Sequence, residues 1–408
     1  MKAVITPSPI SGCIDAPASK SAAHRALICA SLADKPTKIV CSTTSVDIEA
    51  TAQCLRNLGA TITKTEYGFF VEPLTDVKEN VVLNCCESGS TLRFMLPVCA
   101  VFGKAISLYG EGRLPQRPIG ELCSALESHG TELTSHSLPL TVKGKLSAGT
   151  YEISGDVSSQ FISGLLLALP ATHAESTIII SGQIQSKPYI DMTLDVLNSF
   201  GIETDFTKNI IKISASSGYI SPEKYTVEGD WSNGAFFICA DKIKPNNVKC
   251  NNLTLNSVQG DKAVVAIAEK IINSDEKEHV KIDVGDIPDL VPVLAITSCF
   301  RKGTTQFYNA ARLRIKESDR LLSTSEMIKN LGGKAETADD TLTVYGTGAL
   351  EGGTVDSFND HRIVMSSAIA ASKCKNPVTI LGAEAVNKSF PTFFDEIKKL
   401  GAEIQIHE

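Results

Sequence analysis

Cys54-Leu55-Arg56-Asn57-Leu58-Gly59 reads as the end of an amphipathic helix closed by glycine, and a short strand follows it. Glycine just past a helix takes the left-handed conformation that lets the chain turn away, with no Cβ to oppose it. The phrase returns as Ala125-Leu126-Glu127-Ser128-His129-Gly130 and Val196-Leu197-Asn198-Ser199-Phe200-Gly201, then as Ile328-Lys329-Asn330-Leu331-Gly332 and Ile397-Lys398-Lys399-Leu400-Gly401. These glycines lie 71, 71 and 69 residues apart, except for one gap of 131 between Gly201 and Gly332. That gap leaves room for one degenerate copy, around Lys262 to Ile272. Six units of about 68 residues would span the chain.

Each unit holds a second, more apolar helix, beginning near Ser19, Ser88, Val157, Trp231, Ile287 and Asp360. Phe161 to Leu169 and Leu290 to Ile296 are apolar nearly all round, which places them inside. Strands interleaved with one buried and one outer helix predict an α/β or α+β class, six copies closing as two domains of three. Tyr225 to Asp230 is the candidate crossover.

Composition limits the functions available. The chain has 408 residues, 43% hydrophobic and 21% charged, with a net charge of −7 and a pI near 5.6. Such a balance argues against a general nucleic-acid or anionic-membrane surface, so any anion site must be local. Met1 to Pro7 has no apolar signal core, and no stretch approaches the roughly 20 apolar residues of a membrane span. Twelve cysteines without paired ligand spacing read as reduced cytosolic thiols, and seven scattered histidines give no zinc pattern. We therefore expect a cytoplasmic protein without structural metal.

The polar residues gather at helix starts. Lys20-Ser21 and Arg25 stand at the first buried helix, Ser88-Gly89-Ser90 and Arg93 at the second, Ser158-Ser159-Gln160 at the third. Arg117 precedes Pro118, expected in a first helical turn. Ser186-Lys187-Pro188-Tyr189, Asp360-His361-Arg362 and Lys388-Ser389 continue the series. Helix N-termini offer unpaired N–H groups and partial positive charge; serines, a glycine and a cation added there make a phosphate cradle. In Leu313-Arg314-Ile315-Lys316-Glu317-Ser318-Asp319-Arg320, Lys316 and Arg320 stand four apart at the start of a helix. On one helix face they repel, which makes sense if an anion sits between them. Asp289 and Glu317 supply carboxylates able to transfer protons beside bound anions, although a cap and a plain ion pair are the simpler roles. There is no glycine-rich Walker loop to anchor a nucleotide.

Together these motifs resemble the 5-enolpyruvylshikimate-3-phosphate (EPSP) synthase family from end to end. The resemblance implies a two-domain inside-out α/β barrel, each domain built of three βαβαββ repeats with helix N-termini facing the interdomain cleft. Residues 1–18 with 229–408 would form one domain, and residues 19–228 the other. It implies transfer of the enolpyruvyl group of phosphoenolpyruvate to the 5-hydroxyl of shikimate 3-phosphate by a monomer that needs no cofactor. Shikimate 3-phosphate would be held by Ser21, Arg25, Ser158, Ser159, Gln160, Ser186, Tyr189, Asp289, Arg312 and Lys316. Phosphoenolpyruvate would be held by Lys20, Gly89, Arg117, Gln160, Arg320, Arg362 and Lys388. Asp289 would be the base near the 5-hydroxyl and Glu317 the proton donor, with Lys20 also in the catalytic set. Glu87, Ser90, Phe94 and Arg312 depart from the family's common residues.

Two rivals remain. The sister enzyme acting on UDP-N-acetylglucosamine would carry Lys-Asn in place of Lys20-Ser21, and a cysteine in the loop before Arg117, which reads Glu111 to Gln116 without one. A DNA-clamp-like ring of repeats would spread its basic residues along inner helices instead of clustering them with serine and carboxylates.

Overall fold

A computed structural model describes residues 1–244 and 247–408. The chain divides into two compact units, a contiguous one from Ala18 to Val227 and a split one made of Met1–Pro17 with Glu228–Glu408. The contiguous unit contains α1 (Lys20–Ser31), α2 (Val46–Leu58), α3 (Gly89–Val101), α4 (Gly120–Glu127), α5 (Ser159–Ala168) and α6 (Lys187–Ser199). The split unit contains α7 (Trp231–Ile243), α8 (Val264–Asn273), α9 (Val291–Cys299), α10 (Arg320–Asn330), α11 (His361–Ala371) and α12 (Phe393–Lys399). Odd-numbered helices are the inner ones: every residue of α9 and α11 is buried, and all but Ser90 of α3. Sequestering each of their large aliphatic side chains is worth about 1.5–3 kcal/mol.

One repeat explains the rest. Val81–Asn84 runs parallel to Ile106–Tyr109 across the inner helix α3, with Val81 opposite Ile106. After the outer helix α4, Thr131–Leu133 and Leu140–Gly144 form a hairpin, and Leu140–Gly144 pairs antiparallel with Ile106–Tyr109. The result is a βαβαββ unit and an open four-stranded sheet. Five such sheets occur among the described residues, each separate from the others. The mixed α/β class with repeated βαβ units is as expected.

The fourth repeat differs. Among the described residues Gly12–Asp15 pairs only with Val248–Asn251, as a two-stranded parallel ribbon. Its outer helix α8 ends at Ser274 in extended backbone, and the next strand, Val280–Asp283, already belongs to the following repeat. Gly59, Gly130, Gly201, Gly332 and Gly401 all have positive φ, as helix exits into strands require. Where that glycine is missing, the described residues show no hairpin either.

Close packing of α3 on α5 has a local cause. Pro97 inside α3 has no N–H, so the Arg93 carbonyl loses its helical partner. Gly164 of α5 packs against that carbonyl so closely that a Cβ would lie 2.2 Å from it. This contact brings the starts of the two helices, and their polar residues, together.

Candidate active site

In the contiguous unit, Ser19, Ser88 and Ser158 cap α1, α3 and α5, accepting from the N–H groups of Ala22, Thr91 and Gln160. Lys20 opens α1 and donates to Asp47 Oδ2 at 2.8 Å. Beyond Ser21, Arg25 is buried. It donates to Thr193 Oγ1 (2.7 Å), the Ser21 carbonyl (2.6 Å), Ser163 Oγ (3.2 Å) and the Tyr189 carbonyl (3.0 Å). Its guanidinium lies 4.8 Å from the centre of the Phe94 ring. These hydrogen-bond partners are all neutral, and burial pulls the Arg25 pKa down to about 10. A buried cation held only by neutral acceptors favours an added anion.

Gly89 matters for a different reason. A Cβ there would lie 2.6 Å from Arg117 Nη1 and 2.7 Å from Arg93 Nη1, so any larger residue would push both guanidiniums back from the start of α3. Arg93 donates to Gln160 Oε1 at 2.8 Å, and Gln160 Nε2 to Ser90 Oγ at 2.9 Å. Gly89, Arg93, Arg117 and Gln160 thus form one group, with Ser159 buried beside Gln160. The carboxylate of Glu87 packs against Gly112, where a Cβ would meet it at 2.6 Å.

Several local expectations need correction. Pro118 lies before α4, which begins at Gly120, so it does not fill a first helical turn. Ser186 stands at the N-cap position of α6, as expected of a helix start, but in a left-handed conformation (φ 54°) and without a side-chain cap hydrogen bond. Lys187 is exposed, with Asp191 oxygens at 2.6 and 2.8 Å. Lys388 ends the 3-10 turn Ala383–Lys388 instead of opening a helix, and its Nζ donates to the Asn359 carbonyl at 2.8 Å.

The largest correction concerns Lys316 and Arg320. Lys316 is extended, and α10 begins only at Arg320, capped by Asp319. The two cations share no helix face. Arg320, 1% exposed, is instead surrounded by carboxylates. Its Nη1 donates to Asp289 Oδ1 at 2.7 Å, its Nη2 to Glu317 Oε2 at 2.6 Å, and its Nε to Asp360 Oδ2 at 2.9 Å. Lys316 Nζ lies 3.6 Å from Asp289 Oδ1, and Arg362 Nη2 lies 3.4 Å from Asp289 Oδ2. Asp289 therefore turns to three cations and does not cap α9. Arg312 donates to the Gly285 carbonyl at 3.0 Å.

These surroundings set the charges. Burial lowers the Lys316 pKa to about 8, and Arg320 adds to the shift while Asp289 opposes it. For Arg320, burial works against the charge, but Asp360, Glu317 and Asp289 outweigh it and raise its pKa. Asp261, buried just before α8, is pushed up to about 7, first by burial and then by Asp289.

A profile of the family described as EPSP synthase (3-phosphoshikimate 1-carboxyvinyltransferase) matches residues 4–397. The chain belongs to the EPSP synthase family. It is 39% identical to the 3-phosphoshikimate 1-carboxyvinyltransferase of Clostridium kluyveri, over 98% of this chain and 97% of that one. With the protein of the same name from Clostridium novyi it shares 40% identity, over 97% of each chain. Among solved structures it resembles an EPSP synthase from Acinetobacter baumannii, with a TM-score of 0.81 at 22% identity, over 99% of this chain and 100% of that one.

Sequence reasoning missed Asp47, Asp261 and Thr193, and it quoted Asp360 without giving it a role. Each acts through partners distant in sequence, and no local pattern announces such a pairing. Among the described residues no group of three or more histidine, cysteine or carboxylate side chains could hold a metal ion, and no helix is long and apolar enough to cross a membrane.

Proposed function

We propose that this member of the family performs enolpyruvyl transfer from phosphoenolpyruvate to shikimate 3-phosphate with the residues described above. The observation that carries the reading is the pair Asp289 and Glu317 held on one guanidinium, Arg320. Two carboxyl groups held on a common guanidinium can serve as base and acid in a single step when Glu317 enters it protonated and Asp289 ionised. Asp289 takes the proton of the sugar 5-hydroxyl as its oxygen attacks C2 of phosphoenolpyruvate. Glu317 gives a proton to C3, turning the methylene into a methyl group. The tetrahedral ketal phosphate then returns a C3 proton to the Glu317 carboxylate as its C2–O bond to phosphate breaks, which restores the double bond and releases inorganic phosphate.

The cations supply the fixed electrostatic stabilisation that such a reaction needs. Arg25, buried among neutral partners, suits the 3-phosphate, with Ser21, Ser158, Ser159, Gln160, Ser186, Tyr189, Arg312 and Lys316 in the same set. Lys20, Gly89, Arg117, Gln160, Arg320, Arg362 and Lys388 form the phosphoenolpyruvate set, to which Gly89 gives room for Arg117. The reaction runs, under this reading, in a cytoplasmic monomer whose partners are its two substrates. Phosphate release with shikimate 3-phosphate and phosphoenolpyruvate tests it. Release with UDP-N-acetylglucosamine instead would favour the sister reaction, and release with neither would refute the assignment.

A further inference from the structure

We infer that Asp360 is a positioning residue that sets Arg320 and Arg362 in register for the anion of phosphoenolpyruvate; this rests on the assignment of both arginines to that substrate.

Asp360 is fully buried, and both of its oxygens accept hydrogen bonds. Oδ2 accepts from Arg320 Nε at 2.9 Å and from Ser318 Oγ at 3.1 Å. Oδ1 accepts from Arg320 Nη2 at 3.3 Å and from the backbone N–H of Arg362 at 2.9 Å, which caps α11. One carboxylate thus grips the guanidinium of Arg320 on its Nε side and pins the first turn of the helix that carries Arg362. A forked pair of this kind fixes orientation as well as charge.

The other two carboxylates on Arg320 are of a different kind. Asp289 and Glu317 are 17% and 21% exposed; Asp289 holds Nη1, and Glu317 shares Nη2 with Asp360. They are the groups that exchange protons in the reaction, and their contacts must loosen when an anion takes up Arg320. Asp360 cannot be reached from solvent and stays. It keeps Arg320 in place while the exposed contacts give way. Burial works against its own charge, yet Arg320 and His361 hold the Asp360 carboxyl below the ordinary aspartate value.

Position and charge predict opposite outcomes. If Asp360 mattered only as a negative charge near an anion site, removing that charge would tighten phosphoenolpyruvate binding. If it positions, its loss leaves Arg320 to Asp289 and Glu317, and the substrate must compete with them for the same donors. Asp360→Asn keeps the shape and a cap acceptor for Arg362 and removes the charge. In the full-length enzyme we expect the KM for phosphoenolpyruvate to rise about tenfold or more, while the Kd of shikimate 3-phosphate alone stays within about twofold. An unchanged or lower KM in a folded variant overturns the proposal, as does a parallel loss of both affinities together with thermal stability. If Asp360→Asn does not fold, Ser318→Ala decides: it removes one donor to Oδ2, and an unchanged phosphoenolpyruvate KM again overturns the proposal. Wild-type turnover is measured first. Its absence would overturn the reaction assignment and this inference together, whereas normal wild-type turnover with unaffected variants overturns the inference alone.

Discussion

A buried carboxylate among other carboxylates makes stability depend on pH, and Asp261 is such a group. Its folded pKa of about 7 lies above the ordinary aspartate value, first because of burial and then because of Asp289, with Arg362 and Ser232 opposing. Between about pH 4 and 7 the folded state holds a proton that the unfolded chain has released. Stability therefore falls as pH rises through that window and levels off above it. Asp261→Asn has no charge to bury, so it should match the wild type near pH 4.5 and exceed it by about 1 kcal/mol or more at pH 8. Urea unfolding at the two pH values checks this, and parallel curves would dismiss it. Glu317 is tested through chemistry. Glu317→Gln keeps the hydrogen bond to Arg320 but carries no transferable proton, so kcat should fall by about 10²–10⁴ while both substrates still bind. A near-normal kcat would make Glu317 a brace for Arg320.

At the scale of elements, the approach of α3 to α5 is the contact to probe. Gly164→Ala would drive a methyl group into the Arg93 carbonyl, which cannot move without shifting α3. We expect a loss of about 1–3 kcal/mol by overpacking, with a weaker phosphoenolpyruvate KM as Arg93 and Gln160 separate. A variant as stable and active as the wild type would show that the two helices slide freely. Much at this scale was legible in the sequence. Glycine exits such as Gly59 and Gly130 revealed the repeat, because a left-handed helix exit is a local demand met by a local residue. The helix starts at Ser19, Ser88 and Ser158 were legible for the same reason, since each serine caps the helix that follows it. The geometry of Lys316 and Arg320 was not legible, because the start of α10 is decided by Asp319 and by Asp360, 41 residues later. The missing hairpin of the fourth repeat was visible only as a missing glycine, since nothing in Lys262 to Ile272 specifies how the chain continues beyond that helix.

At the scale of the whole molecule, each unit has its own hydrophobic core. One contains Phe69, Phe94, Phe161 and Phe200, the other Phe236, Phe237, Phe390 and Phe393. The contiguous unit takes every strand of its three sheets from residues 18–227, including Lys224–Thr226 laid parallel to Thr37–Val40. A fragment of residues 18–227 should therefore unfold in urea as a single cooperative transition followed by circular dichroism, and a gradual, non-cooperative melt would show that its core depends on the rest of the chain. The split unit is closed by a strand from far away in sequence. Lys2–Thr6 lies between Val378–Leu381 and Glu403–His407 and pairs with both. On the ribosome this strand is made nearly 400 residues before its partners. At about 5–20 residues per second, Ala3 and Ile5 wait roughly 20–80 s for a sheet to join. The contiguous unit can be finished while synthesis continues, but the sheet around Lys2–Thr6 forms only after Glu403–His407 has been made.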